Sequence, residues 1–369
     1  MYNIYLEEKA IKKRRDIVDR VETYVVRVDK TNPDSGILKK AGEIIKNGGV
    51  VAFPTETVYG LGGNGFDDNA IDKIFLAKGR PQDNPLILHV STIEEVYPLV
   101  QEVNDRAKLL MERFWPGPLT IIFNKSEKIS YKLTGGLDTI AIRMPKHNVA
   151  LGLIKHSQVP IAAPSANTSG RPSPTEAKHV IEDMNGKIDM IIDGGSTGIG
   201  VESTVLDISG NVPTILRPGG ITLEDLLEIF PVVNYDKSII SDDEKIIPKS
   251  PGQKYKHYAP KAKMIVYSGE VEDITSAIED HAHKLILVGK VVGIMATEET
   301  KDKYSEGNII VVGSRRKSET IAQNLFSVLR EFDSLNVDVI LGEGIDTKGI
   351  GTAIMNRMKK ACGGDIRYV

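Results

Sequence analysis

The chain has 369 residues, 41% hydrophobic and 26% charged, with a formal net charge of -3. That length favours two domains over one, and so small a net charge excludes a broadly basic nucleic-acid-binding protein, leaving room only for a local RNA contact. The single cysteine, Cys362, excludes an internal disulfide and lacks the clustered Cys/His spacing of structural zinc, which fits a reducing, cytoplasmic setting.

No apolar run approaches the roughly 20 residues that span a bilayer, and the N-terminus is too charged for a secretory segment. No membrane partner is expected. The "KKRR" at Lys12–Arg15 sits among Glu7, Glu8, Asp16 and Asp19 and reads as a solvated helix face, with an RNA-binding arm as the alternative. Residues 1–22 are read as an N-terminal extension.

From Thr23 the pattern is strand ("TYVVRV"), helix ("SGILKKAGEIIKNGG"), strand ("VVAFP"), with Ile37, Leu38, Ala41, Ile44 and Ile45 at helical spacing. "TETVYGLGGNG" then reads as a glycine-rich turn, followed by a helix over "DNAIDKIFLAKG" and a strand "LILHV". Further on come a helix near Asn104–Phe114, the break "WPGP", strands "LTIIF" and "TIAIRM", a short helix from about Val149, and strand "PIAAP". The loop "SANTSGRPSP", a helix from about Thr175, strands "DMIIDGG", "STVLDI" and "TILRPG", and a helix at Leu223–Phe230 with Thr222 as N-cap complete this part. Strands outnumber helices, which predicts a mixed α/β sheet over residues 23–235.

Residues 236–261 carry Asp242, Asp243, Glu244 and three prolines with little apolar periodicity, so they read as a linker. Over 262–369 strands "KMIVYS", "KLILVG", "VVGIMA", "NIIVVG" and "VDVILGEG" alternate with helices near Val271–His283, Ser318–Asp333 and Gly351–Ala361. Continuous apolar strands between helices predict a smaller, Rossmann-like α/β domain with a parallel sheet.

The chemistry-bearing residues are mostly binding groups. Lys78 and Arg80 stand at a helix C-terminus, where the dipole favours cations and Pro81 stops the helix, so capping alone accounts for each. On the next strand Leu86, Leu88 and Val90 share one face while Ile87 and His89 share the other, so His89 is a candidate ligand group or a satisfied core histidine. Arg143, deep in "TIAIRMP", needs an anionic partner, either an internal carboxylate or a clamped substrate. "APSANTSGRPSP" offers Ser165, Asn167, Thr168, Ser169 and Ser173 after a strand end, a stiff hydroxyl- and amide-bearing loop able to meet a nucleotide. Ser203 and Thr204 open a strand, and Arg217 ends one, where open α/β sheets bind ligands. Such an inventory suits phosphoryl or nucleotidyl transfer, in which positioning and charge neutralisation supply most of the acceleration.

In this order "FPTETVYGLGGNG", "KGRPQDNPLILHV", "WPGPLT", "IAIRMP", "PSANTSGRPSPT", "ESTVLD" and "ILRPGG" resemble the YrdC family. "SPGQKYKHYAP" and the trailing domain are similar to its longer two-domain, threonylcarbamoyl-AMP synthase form. The resemblance implies a YrdC-like twisted mixed sheet with helices around a concave cleft. It also implies synthesis of threonylcarbamoyl-adenylate and pyrophosphate from ATP, L-threonine and bicarbonate or CO2. The product would pass to a separate transferase complex that modifies the adenosine next to the anticodon of tRNAs reading ANN codons. Carried over residue by residue, Lys78, Arg80, Asn84, Ser165, Asn167, Ser173 and Arg217 would hold ATP, with Lys78 and Arg80 on its phosphates. Thr57, His89, Arg143, Ala163 and Ser203 would hold threonine, and Lys254, Tyr255 and His257 would come to the cleft from the linker. Mg2+ would enter with the ATP phosphates, without protein side-chain ligands. A double-stranded-RNA-binding or ribosome-maturation protein is the alternative, because the YrdC fold has been associated with a basic concave surface.

Overall fold

In the computed structural model, residues 21–240 and 257–369 are described, Ile240 by its backbone alone. The first half builds one sheet from β1 (Tyr24–Arg27), β2 (Val51–Phe53), β3 (Gly60–Asn64), β4 (Ile87–His89), β5 (Leu119–Asn124), β6 (Thr139–Arg143), β7 (Ile161–Ala162), β8 (Met190–Asp193), β9 (Thr204–Asp207), β10 (Thr214–Arg217) and β11 (Asn234–Tyr235). Their order is β1-β8-β2-β3-β7-β4-β6-β5-β9-β10-β11. Pairing is mixed: β4 runs parallel to β6, whereas β5 and β6 are antiparallel.

The second half folds as β12 (Lys263–Ser268), β13 (Val292–Thr297), β14 (Asn308–Gly313), β15 (Val339–Glu343) and β16 (Ile366–Tyr368), in the order β14-β13-β15-β12-β16. All of its pairings are parallel. The expected mixed sheet and the expected smaller parallel sheet are both present. Among the described residues no helix is long and apolar enough to cross a membrane.

Two segments take a form opposite to the one the sequence predicts, and short elements at Tyr131–Thr134, Asn234–Tyr235, Lys237–Ile240 and Ile366–Tyr368 are not among those it predicts. "GLGGN" is strand β3 and not a turn, paired antiparallel with β2 and β7. Its glycines serve close approach: a Cβ at Gly62 would lie 2.7 Å from the Phe53 ring and 2.8 Å from Ile161. "KLILVG" is not a strand either. The helix that starts at Val271 runs to Leu287 and stops only before Gly289, whose φ is +80°. Ile274, Ile278 and Ala282 keep the helical period, and no breaker intervenes.

The main core lies under the first sheet, where Leu61, Ile71, Ile74, Leu88 and Ile142 meet. Helices Ser35–Lys46 and Asn148–Ser157 cover the other side with Ala41, Ile45, Val149 and Leu153 around Phe53. A third cluster joins the two halves: Val58, Val201 and Tyr258 pack with Phe326, Leu329 and Ile354. Gly200 sits at that seam with φ +84°, and a Cβ there would lie 2.2 Å from the Ala322 carbonyl oxygen.

Candidate functional site

Alternation along the central strands divides their side chains. Leu88 and Val90 enter the main core, while Ile87, Ala141, Ile122, Val205 and Leu216 form a small apolar floor on the opposite face. The polar members of that face stand beside the floor. Parallel pairing sets His89 opposite Arg143, and both line one cleft with Thr57, Arg80, Ala163, Ser165, Ser203, Arg217 and His257. The space among these residues, counting the part open to solvent, is about 610 Å3.

Each wall residue is held. Arg143 donates from Nη1 to the Thr57 hydroxyl at 2.9 Å and from Nε to the Gly117 carbonyl at 3.2 Å. Its Nη2 lies 2.7 Å from Glu56 Oε1, a close pairing of charges without hydrogen-bond alignment. The internal carboxylate expected of Arg143 is therefore present, and the guanidinium also lines the cleft. Arg217 donates to the Ser203 carbonyl and hydroxyl, each at 3.0 Å, and Ser203 Oγ lies 2.8 Å from Thr120 Oγ1. Arg80 reaches the Pro85 carbonyl at 3.1 Å.

Lys78, Asn84, Asn167 and Ser173 are absent from this wall. Lys78, Asn167 and Ser173 brace it from behind instead. Lys78 ends its helix just before Gly79, whose left-handed backbone turns the chain away. The ammonium then passes inward, donating to the Ser165 carbonyl at 2.5 Å and the Asn167 carbonyl at 2.7 Å. It is 1% exposed, so capping does not describe it. Asn167 Oδ1 accepts from the Ser165 hydroxyl, and its amide donates to the Thr168 and Arg171 carbonyls. Asn84 is buried, and its Oδ1 has no hydrogen-bond partner among the described residues. Lys254 and Tyr255 lie outside the described residues.

Glu202 lines the same cleft; it opens the "ESTVLD" stretch but is not among the residues expected to hold a substrate. Burial alone would raise its carboxyl, but Arg357 and Arg217, with the Ser173 hydroxyl, hold it at about 2. Tyr258 also lines the cleft, stacked on Phe326. Its hydroxyl is pushed up to about 12, chiefly by burial and then by Glu202.

A family model described as "Threonylcarbamoyl-AMP synthase, C-terminal domain" matches residues 221–363, and one described as "Telomere recombination" matches residues 43–219. Threonylcarbamoyl-AMP synthase of Pyrococcus abyssi is 47% identical over 354 residues, which is 94% of this chain and 97% of the relative. The chain belongs to the threonylcarbamoyl-AMP synthase family. The Bacillus subtilis threonylcarbamoyl-AMP synthase is 46% identical over 93% of this chain and 98% of its own length. The crystal structure of P. abyssi Sua5 complexed with L-threonine superposes with a TM-score of 0.90 at 46% identity, covering 94% of this chain and all of that one.

In this synthase fold three imidazoles are held neutral. His89, His179 and His257 are each pulled down to about 3, first by burial and then by a neighbouring guanidinium: Arg143, Arg330 and Arg80 respectively. An unfolded histidine titrates near 6.5. Between about 3 and 6.5 the unfolded chain therefore binds more protons than the folded one, so stability rises with pH across that window and falls on acidification. The urea midpoint is expected to decline steadily from about pH 6.5 to pH 5, above the range where most carboxylates contribute. His89→Gln should make that decline shallower. An unchanged slope would mean that His89 takes up its proton in the folded state.

Proposed function

We propose that this chain forms threonylcarbamoyl-AMP in the cleft just described, with the nucleotide and the amino acid at opposite ends. The observation that carries this reading is the convergence, on one sheet face, of His89, Arg143, Ser203 and Arg217 with Arg80 and Ser165. ATP would lie against Arg80, Ser165 and Arg217, with Lys78, Asn84, Asn167 and Ser173 supporting it. Threonine would lie near Thr57, His89, Arg143, Ala163 and Ser203, and His257 would close on the ligands from the linker side.

The family's reaction places two anions in contact, since a carbamate made from threonine and bicarbonate or CO2 must reach the α-phosphorus as pyrophosphate leaves. Cations fixed in a buried cleft lower that barrier because they need no reorganisation when charge develops. Arg217 supplies one and Arg80 another. His89, being neutral, would act as a hydrogen-bonding group, and its buried Nδ1 has no partner in the described structure. Glu202 is already held by Ser173 and Arg357, so it fits no dedicated metal site. Mg2+, bound on the triphosphate, would further screen charge and polarise phosphorus. The amine's proton would pass to an anionic oxygen of the substrates. The catalytic unit is inferred to span residues 23–235, and the product to pass to a tRNA-modifying transferase.

Mass spectrometry should detect threonylcarbamoyl-adenylate when ATP, Mg2+, L-threonine and bicarbonate are all supplied. Tight, salt-sensitive RNA binding without pyrophosphate dependent on both threonine and bicarbonate would sink the reading. For Arg143→Ala, loss of a charge-assisted hydrogen bond of about 1.5–3 kcal/mol predicts a rise in threonine KM of about 10-fold or more. The KM for ATP should stay within about twofold. Equal rises would remove Arg143 from the amino-acid end.

A further inference from the structure

We propose that the second half of the chain sets the conformation of the loop at residues 165–173, and that Arg330 is a positioning residue for ATP. The proposal rests on the reading that this loop receives the nucleotide.

The loop is tethered along its whole length. Lys78 holds the Ser165 and Asn167 carbonyls. The Thr168 amide donates to Asp183 Oδ2 at 3.2 Å, and Arg171 donates to Asp183 Oδ1. Two further tethers come from beyond the first half of the chain. The Ala259 amide donates to the Gly170 carbonyl at 2.8 Å. Arg330, on the Ser318–Leu335 helix, donates to the Pro172 carbonyl at 2.7 Å and to Asp183 Oδ2 at 2.8 Å. Ser173 then donates to Glu202, whose other oxygen is taken by Arg357 Nε at 2.8 Å.

Arg330 and Asp183 are almost wholly buried, at 3% and 0% side-chain exposure. Taking two charges out of water is costly, and a buried apolar pair of the same volume often stabilises a fold at least as well. Their distinctive contribution is geometric. One guanidinium fixes a loop carbonyl and orients the carboxylate that fixes a loop amide and Arg171. A loop held in its binding shape loses less freedom when ligand arrives, which raises affinity without any contact to the ligand. Arg330 is absent from the cleft wall, so its influence must travel through the loop. At the threonine end, His89 on β4 and Arg143 on β6 make none of these contacts.

The test is calorimetric titration of the full chain with Mg-ATP alone and with L-threonine alone, together with the melting temperature. Arg330→Gln is expected to weaken ATP by about 10-fold or more and threonine by less than about twofold. Arg330→Lys keeps the charge against Asp183 but not the forked geometry, and should fall between parent and Arg330→Gln. Equal weakening of both ligands, or ATP affinity within about twofold of the parent, would overturn the proposal. If Arg330→Gln fails to fold, Arg330→Lys takes its place, and the same two outcomes would overturn the proposal. Ser165→Ala, at a loop residue that lines the cleft, separates this proposal from its premise. If Ser165→Ala weakens ATP and the Arg330 variants do not, only the positioning role falls. If Ser165→Ala leaves ATP binding unchanged, the nucleotide assignment of the loop falls and the positioning role with it.

Discussion

Lys78→Ala is expected to lower kcat/KM by at least about 100-fold, equivalent to roughly 2.7 kcal/mol of lost transition-state stabilisation, and to lower the melting temperature as well. The ammonium is buried and caged by the Ser165 and Asn167 carbonyls. Burial, and next the charge of Arg80, press its pKa well below the ordinary lysine value, yet the cage holds the donor in place. Removing it leaves two interior carbonyls without a donor, at about 1–3 kcal/mol each, and frees the loop that carries Ser165. Lys78→Met, which restores the stem without the donor, should recover part of the stability and little of the turnover. Pyrophosphate release and thermal denaturation would read the two effects. Turnover within about threefold of the parent would show that neither the loop nor the phosphates depend on this amine.

The second large effect is expected in stability. Arg357 is fully buried and belongs to the second half of the chain, but its partners, Glu202 and the Pro218 carbonyl, belong to the first. Arg357→Ala strands a carboxylate inside the protein, and breaking such a pair from one side costs about 3–5 kcal/mol. Replacing both partners, Arg357→Leu with Glu202→Leu, should restore part of the urea midpoint, since the stranded carboxylate is gone, although among the described residues Arg217 then keeps only its Ser203 hydrogen bonds. It should not restore activity, because Glu202 also receives the Ser173 hydroxyl and lines the cleft. If the double variant unfolds as early as Arg357→Ala, the loss was one of packing and not of an uncompensated charge.

The strands that position the site were legible because their two faces bury different things. Leu88 and Val90 go to the core while Ile87 and His89 go to the cleft, and alternation alone predicts this split. The β3 strand was hidden because glycine-rich text signals a turn, whereas here the missing side chains make room for Phe53 and Ile161. The extension of the Val271–Leu287 helix was hidden because "LILV" suits a buried strand or a helix end equally well.

At the site, the cations could be found one by one, but their neighbours could not. Arg143 demanded an anionic partner, and nothing in its own stretch pointed to Glu56 as that partner. Glu202 and Arg357 are 155 positions apart, and Arg330 and Asp183 are 147 apart. Such pairs depend on how two sheets dock, a relation that hydrophobic periodicity within either segment does not encode. Lys78 read as a helix cap because its position on the helix is that of a cap; only its depth reveals the inward path.

The seam at Gly200 bears on how such chains can be recombined. Backbone meets backbone there, so a hybrid joining this first half to a relative's second half has no side chain with which to absorb a mismatch. The helix facing Gly200 would have to arrive at the same height and tilt, to within a fraction of a bond length. Exchange of halves between relatives should therefore require the fit of one helix against this glycine as well as the matched ion pairs at Glu202 and Asp183. Gly200→Ala offers the cheapest way to prise the two apart in an otherwise unaltered chain.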